Sequence, residues 1–209
     1  MHAPIRTPAR LTDRKRQAIL SAAADQFRAH GFEGSSVDRI AALAGVSKRT
    51  VYNHFPSKDE LFAETLVQLF HSSAGTVEFA YSSARGLRAQ LEEMLALKMR
   101  SMADPGFIGL ARVAIAEAIH APERALPVFA RLGEREEGVA TWVRAAQADG
   151  RLAPGDPAFA ATLLQGQLKT FAFWPQVTMG AAPLDAAGQA RVVEAAVSMF
   201  LSYFGPGQD

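Results

Sequence analysis

Residues 35–55 read SSVDRIAALAGVSKRTVYNHF, and their spacing predicts two short helices joined by a tight turn. Ser35 is the expected N-cap of the first, with Asp38 three positions on as an acidic variant of the capping box, and Gly45 ends it. Ser47 opens the second. Two helices that cross closely need a small residue at the contact and a residue tolerant of the left-handed region in the turn. Ala41 and Gly45 supply these, four residues apart. Ile40, Ala44, Val46 and Val51 are then expected to form a miniature core against a preceding helix, leaving Lys48, Arg49, Thr50, Tyr52, Asn53 and His54 facing outward.

That preceding helix is expected to start after Thr12 as N-cap, with Asp13 in its first turn. It should bury Ile19, Leu20, Ala23 and Phe27 and stop at Gly31. Downstream, Pro56 separates the second short helix from Ser57-Lys58-Asp59-Glu60, a capping box that opens a longer helix. From there the sequence predicts long helices over 57–82, 86–102, 107–121, 124–149, 157–174 and 186–204. Asp104-Pro105-Gly106, Asp149-Gly150 and Pro154-Gly155-Asp156-Pro157 are the turns. No stretch alternates with period two, so the fold class is all-α: a three-helix helix-turn-helix domain over residues 1–56, with 1–11 as a disordered arm, and a larger helical ligand-binding and dimerisation domain over 57–209, about nine helices in all.

Composition narrows the function. The 209 residues are 49% hydrophobic and 21% charged, enough to bury a core. There is no cysteine, which excludes disulfides, thiolate metal sites and a cysteine nucleophile. No apolar core of the signal-peptide kind follows the N-terminal arginines, and the most apolar run, 159–173, is broken by Gln165, Gln167 and Lys169, so a cytoplasmic protein without membrane contact is expected. The net charge is +1 but uneven. Residues 1–60 hold 10 Lys/Arg against 6 Asp/Glu, giving +4, while the remainder holds 12 against 15, giving −3. The basic end is the one suited to a polyanion.

The chemistry of the outward residues points to duplex DNA. The major groove admits one α-helix and presents guanine O6 and N7 to Lys or Arg and the adenine edge to Asn. Lys48 and Arg49 stand at the start of the second short helix, where recognition side chains reach bases. Ser36, Thr50, Tyr52, His54 and Lys58 suit phosphates, and the N-terminus of the next helix can add a backbone donor. Tyr52 also has a packing reading, and His30 and Phe55 read as structural.

Over residues 19–62 the chain resembles the TetR family of transcriptional regulators. FRAHGF at 27–32, AGVS at 44–47, YNHF at 52–55 and SKDEL at 57–61 all fall in register. The resemblance implies DNA-facing positions at Ser36, Ser47, Lys48, Arg49, Thr50, Tyr52, Asn53, His54 and Lys58. Arg49 departs from the small residue many members carry there. The segment GLARVAIAEAIHAPERALPVFARLGE, residues 109–134, resembles the C-terminal domain of the AefR-like subset. For such proteins the family implies a homodimer on a double-stranded, palindromic operator. A small apolar or amphipathic molecule in the body moves the fourth helix and changes the spacing of the DNA heads, usually relieving repression.

In the body, the apolar arc of the last helix spans roughly 200° and includes Val192, Val193, Ala196, Met199, Phe200 and Tyr203, wider than a one-sided stripe. Burial against a second copy, with helix 157–174 completing a four-helix interface, accounts for it, and burial within one subunit is the alternative. Candidate pocket residues are Phe70, Met94, Met99, Phe107, Trp142, Phe171 and Trp174, with Gln165 and Gln167 as polar anchors, although core burial is the ordinary fate of such side chains. No cofactor, metal or catalytic residue is expected. Glu117 and His120 are spaced as in di-iron bundles, but no second Glu-x-x-His exists in the chain. An architectural DNA-binding protein without ligand control and, more remotely, a helical-bundle enzyme are the competing readings.

Overall fold

A computed structural model describes residues 8–73, 80–123, 126 and 137–205, with the side chains of 8–10, 69–73 and 137 left out. The described elements are α1 (Pro8–Gly34), α2 (Val37–Leu43), α3 (Lys48–His54), α4 (Lys58–Ser73), α5 (Leu87–Met102), α6 (Pro105–His120), α7 (Glu137–Ala148), α8 (Pro157–Leu168), a π-turn (Lys169–Phe173), α9 (Trp174–Met179) and α10 (Ala186–Phe204). No strand occurs among them. The chain divides into two compact units: Met1–Leu69 with Gly109–Val128, and Phe70–Ile108 with Phe129–Asp209.

The first unit is built on aromatic packing. Ile19, Ala23 and Phe27 line the buried face of α1 at helical spacing, and Phe62 of α4 meets Phe27 edge-on at 4.9 Å and Phe32 at 5.2 Å. Each fully buried side chain of this size contributes about 1.5–3 kcal/mol. Ile40 and Val51 are buried on α2 and α3, whereas Ala44 and Val46 are only half-buried. Gly31 interrupts α1 with φ +68° and Gly45 turns α2 into α3 with φ +65°, a region that costs any residue with a Cβ.

Several expected boundaries move. Residues 8–11 are already helical, so Thr12 lies inside α1 and is not its cap. Ser36, not Ser35, holds the N-cap position of α2 and makes no side-chain capping bond, while the Ser35 hydroxyl is engaged elsewhere, donating to the Phe32 carbonyl at 2.7 Å. Ser47 and Ser57 do cap, accepting from the backbone N–H of Thr50 at 3.1 Å and Glu60 at 3.0 Å. The helix expected over 57–82 runs only to Ser73 in the described part, and residues 80–82 are not helical. The first unit also takes in α4 as far as Leu69 and α6 from Gly109, so compactness does not follow a cut at residue 56. Gly109 permits that arrangement: a Cβ there would lie 3.2 Å from Arg28 Cδ of α1.

The second unit buries one cluster in which Leu91, Met94, Leu95 and Met99 of α5, Val139, Trp142 and Val143 of α7, Leu164 and Leu168 of α8, and Val193, Val197 and Phe200 of α10 pack together. Pro175 explains the π-turn that follows α8. Lacking an N–H, it cannot bond the Phe171 carbonyl, and its ring would collide with it in a regular helix. The chain widens instead, so that the Trp174 N–H reaches the Lys169 carbonyl. Buried Gln176 then donates to the Ala172 carbonyl and, at 2.8 Å, to the Met102 carbonyl at the end of α5.

Candidate nucleic-acid interface

The outward face of α3 is polar and accessible. Lys48, Arg49, Tyr52 and Asn53 are exposed and share one helix face at i, i+1, i+4 and i+5, while Val51 on the opposite face is buried. Thr50 and His54 are half-buried at its edges, and the Thr50 hydroxyl is engaged with Ser47 Oγ at 2.9 Å. Ser36 is half-buried at the start of α2. Lys58 turns back toward α1, donating to the Glu33 carbonyl at 3.3 Å with its ammonium 4.5 Å from the centre of the Phe32 ring. Lys48 Nζ lies 3.0 Å from Asp38 Oδ2 of α2. That hydrogen bond and the carboxylate charge push the Lys48 pKa above its ordinary value of 10.5.

Arg16 holds the base of this surface. Its guanidinium pairs with Glu64 of α4 and sits 4.5 Å from the centre of the Phe55 ring, just beyond α3. Arg16, Glu60 and Glu64 border a cleft of about 330 Å³ whose other walls are His54, Phe55, Pro56 and Ser57. Two carboxylates against one arginine make this cleft unattractive to phosphate. Neither Arg16 nor Asp38 stands out as functional in the sequence. Asp38 carries only the hint of an acid inside a basic segment.

In the body, Met94, Met99 and Trp142 lie in the fully buried cluster. Phe107 is buried 6.1 Å from Phe173, and Gln165 is buried with its carbonyl oxygen 3.3 Å from Lys98 Nζ. The side-chain oxygen of Gln167 is buried and lacks a hydrogen-bonding partner. Phe171 and Trp174, expected in an interior pocket, are instead 56% and 45% exposed, because the π-turn rotates them off the core face. Phe70 lies outside the described side chains. On α10, Val193, Ala196 and Phe200 are consumed by the unit's own core and Val192 packs partly against it, leaving only Met199 and Tyr203 of the expected interface set exposed, at 54% and 74%. Among the described residues, no three His, Asp or Glu side chains group as a metal site, Glu117 and His120 included, and no helix is long and apolar enough to cross a membrane.

A short helix pair with a polar outward face, carried by a chain with a second, larger helical unit, defines a helix-turn-helix DNA-binding transcriptional regulator. Residues 19–65 match the model of bacterial regulatory proteins of the tetR family, and residues 89–206 match the AefR-like transcriptional repressor C-terminal domain. The chain belongs to the TetR family of regulators. It is 32% identical over 174 residues to the HTH-type transcriptional regulator RutR of Escherichia coli K12, covering 80% of this chain and 79% of that one. A TetR family regulator from Pseudomonas syringae pv. tomato DC3000 is 51% identical, with a TM-score of 0.78 over 93% of this chain and 99% of that one. The flavonoid-responsive regulator FrrA is 27% identical, with a TM-score of 0.72 over 93% and 98%.

Proposed function

We propose that this regulator binds a palindromic operator as a homodimer, represses the adjacent promoter in the cytoplasm, and is released by a small apolar or amphipathic molecule held in its second unit. The observation that supports operator reading is the exposed outward face of α3, whose Lys48 and Arg49 suit guanine edges and whose Asn53 amide suits adenine. Ser36, Ser47, Thr50, Tyr52, His54 and Lys58 would hold phosphates, fixing the register without choosing the sequence.

Further observations support the dimer and the effector. Phe159, Leu163, Phe171 and Trp174 expose a large apolar surface along α8, the π-turn and the start of α9, and Met199 and Tyr203 do so on α10. Gly166 lies on that same exposed face of α8, with no atom within 4 Å of a Cβ built on it, which suits the close approach of another helix. Buried Gln165, bonded to Lys98 among apolar side chains, supplies the few placed polar groups typical of a ligand pocket. A related protein is described as flavonoid-responsive, which fits an aromatic, amphipathic effector class here.

Selection from a random-sequence duplex pool tests the reading. Enrichment of an inverted repeat with half-sites about one helical turn apart, or a multiple of it, is the expected result. Equal retention of all sequences would return the protein to the architectural class.

A further inference from the structure

The ion pair between Lys48 and Asp38 lies on the surface that faces DNA, and it contributes little to holding the fold. Its side chains are 52% and 67% exposed, and pairs of that kind contribute little to stability. Asp38 stands in the first turn of α2, where a carboxylate is favoured by the helix dipole, and Lys48 is the first residue of α3, where an ammonium is not. The turn of the helix-turn-helix brings the two side chains to 3.0 Å although ten residues separate them.

This geometry changes what Lys48 offers to DNA. A lone ammonium gains from any phosphate by releasing a counterion, whatever the sequence. An ammonium paired with a carboxylate at the same surface forms a unit of no net charge, and the carboxylate is repelled by the backbone. A base edge is different. The ammonium has three donors, so it can keep Asp38 and still donate to guanine O6 or N7, and the carboxylate can accept from an adjacent cytosine N4.

We propose that Asp38 is a specificity-determining residue, which withholds Lys48 from phosphates on non-cognate DNA and admits it to a cognate base step. The proposal rests on the reading of α3 as the DNA-contacting helix. Arg49 provides a contrast on the same helix: among the described residues no carboxylate pairs with it, so its charge acts on any duplex.

The test measures binding of wild-type protein and Asp38→Asn to two duplexes across a salt series: the one recovered by selection, and a mixed-sequence duplex lacking it. Asn keeps the size of the side chain and is a tolerated helix-start residue. The variant is expected to bind the mixed-sequence duplex roughly eightfold more tightly per subunit near 0.1 M salt, with a log–log slope steeper by about 0.9, the value of one released counterion. Affinity for the selected duplex should rise less, so that the ratio between the two falls. In a Lys48→Ala background the same substitution should bring a clearly smaller gain with little change of slope, since only the carboxylate's repulsion is relieved and no cation is freed. Equal gains on both duplexes, an unchanged slope, or a gain of undiminished size without Lys48 would overturn the proposal. Wild-type curves without preference for any duplex would instead remove the reading of α3 on which it rests.

Discussion

Gln90 accepts the indole N–H of Trp142 at 3.2 Å, and both side chains are buried. The same amide accepts the Ser82 N–H at 2.9 Å and donates to the Ser82 and Arg85 carbonyls at 2.9 and 3.0 Å. One side chain thereby satisfies the bend that precedes α5 and anchors the largest residue of the second unit's core. Replacing Gln90 with Leu strands the buried Trp142 N–H and removes the acceptor of the half-buried Ser82 N–H, at about 1–3 kcal/mol each, while the Ser82 and Arg85 carbonyls keep the Arg151 guanidinium. A loss of about 3 kcal/mol or more in urea unfolding is expected, and a loss below 1 kcal/mol would show that water takes over the role.

Gly45→Ala isolates backbone strain. Nothing lies within 4 Å of the added Cβ, so crowding is absent, and the cost comes from φ +65° alone. The left-handed region costs a residue with a Cβ about 1–2 kcal/mol. Thermal unfolding should register that loss, and operator affinity should fall with it, because Gly45 sets the crossing of α2 and α3.

Leu163→Glu tests the proposed interface. The side chain is 42% exposed on the face of α8 that also carries Phe159. A charge placed there should leave the helical circular dichroism unchanged while converting a dimer to the 22.4 kDa chain in light scattering. A variant that stays dimeric moves the interface elsewhere.

Tyr81 provides a pH readout. Partial burial, with the hydrogen bond to Asp149, holds its phenol above the ordinary value of 10.0, against the opposing pull of Arg151. A raised value favours the neutral phenol in the folded chain. Its stabilising contribution is therefore complete below about pH 10 and is lost as pH rises through the higher folded value. The difference between ultraviolet titrations of the wild type and Tyr81→Phe should show a midpoint above 10.

The head was legible because its signals are local. The serines, glycines and apolar spacing of residues 35–57 act within one or two turns of chain, and the buried Ile40 and Val51 and the caps at Ser47 and Ser57 follow from them. The misplaced cap at Ser35 shows the margin: two adjacent serines compete, and the Phe32 carbonyl, presented by the break at Gly31, takes the first. Less of the body was legible. An apolar arc on α10 announces burial without saying by what, and the core claimed Val193, Ala196 and Phe200, leaving Met199 and Tyr203 outside. Phe171 and Trp174 read as interior residues until Pro175 opened a π-turn and rotated them outward.

The sequence by itself determined an all-α chain, a helix-turn-helix at residues 35–55 and an outward polar face on its second helix, because capping, turn chemistry and helical periodicity are properties of neighbours along the chain. Only the tertiary structure decided that Asp38 meets Lys48, that Arg16 joins α1 to α4 beneath Phe55, and that Gln90 serves Trp142. Each of these depends on bringing residues from separate elements within about 3–5 Å, and no local pattern encodes that distance.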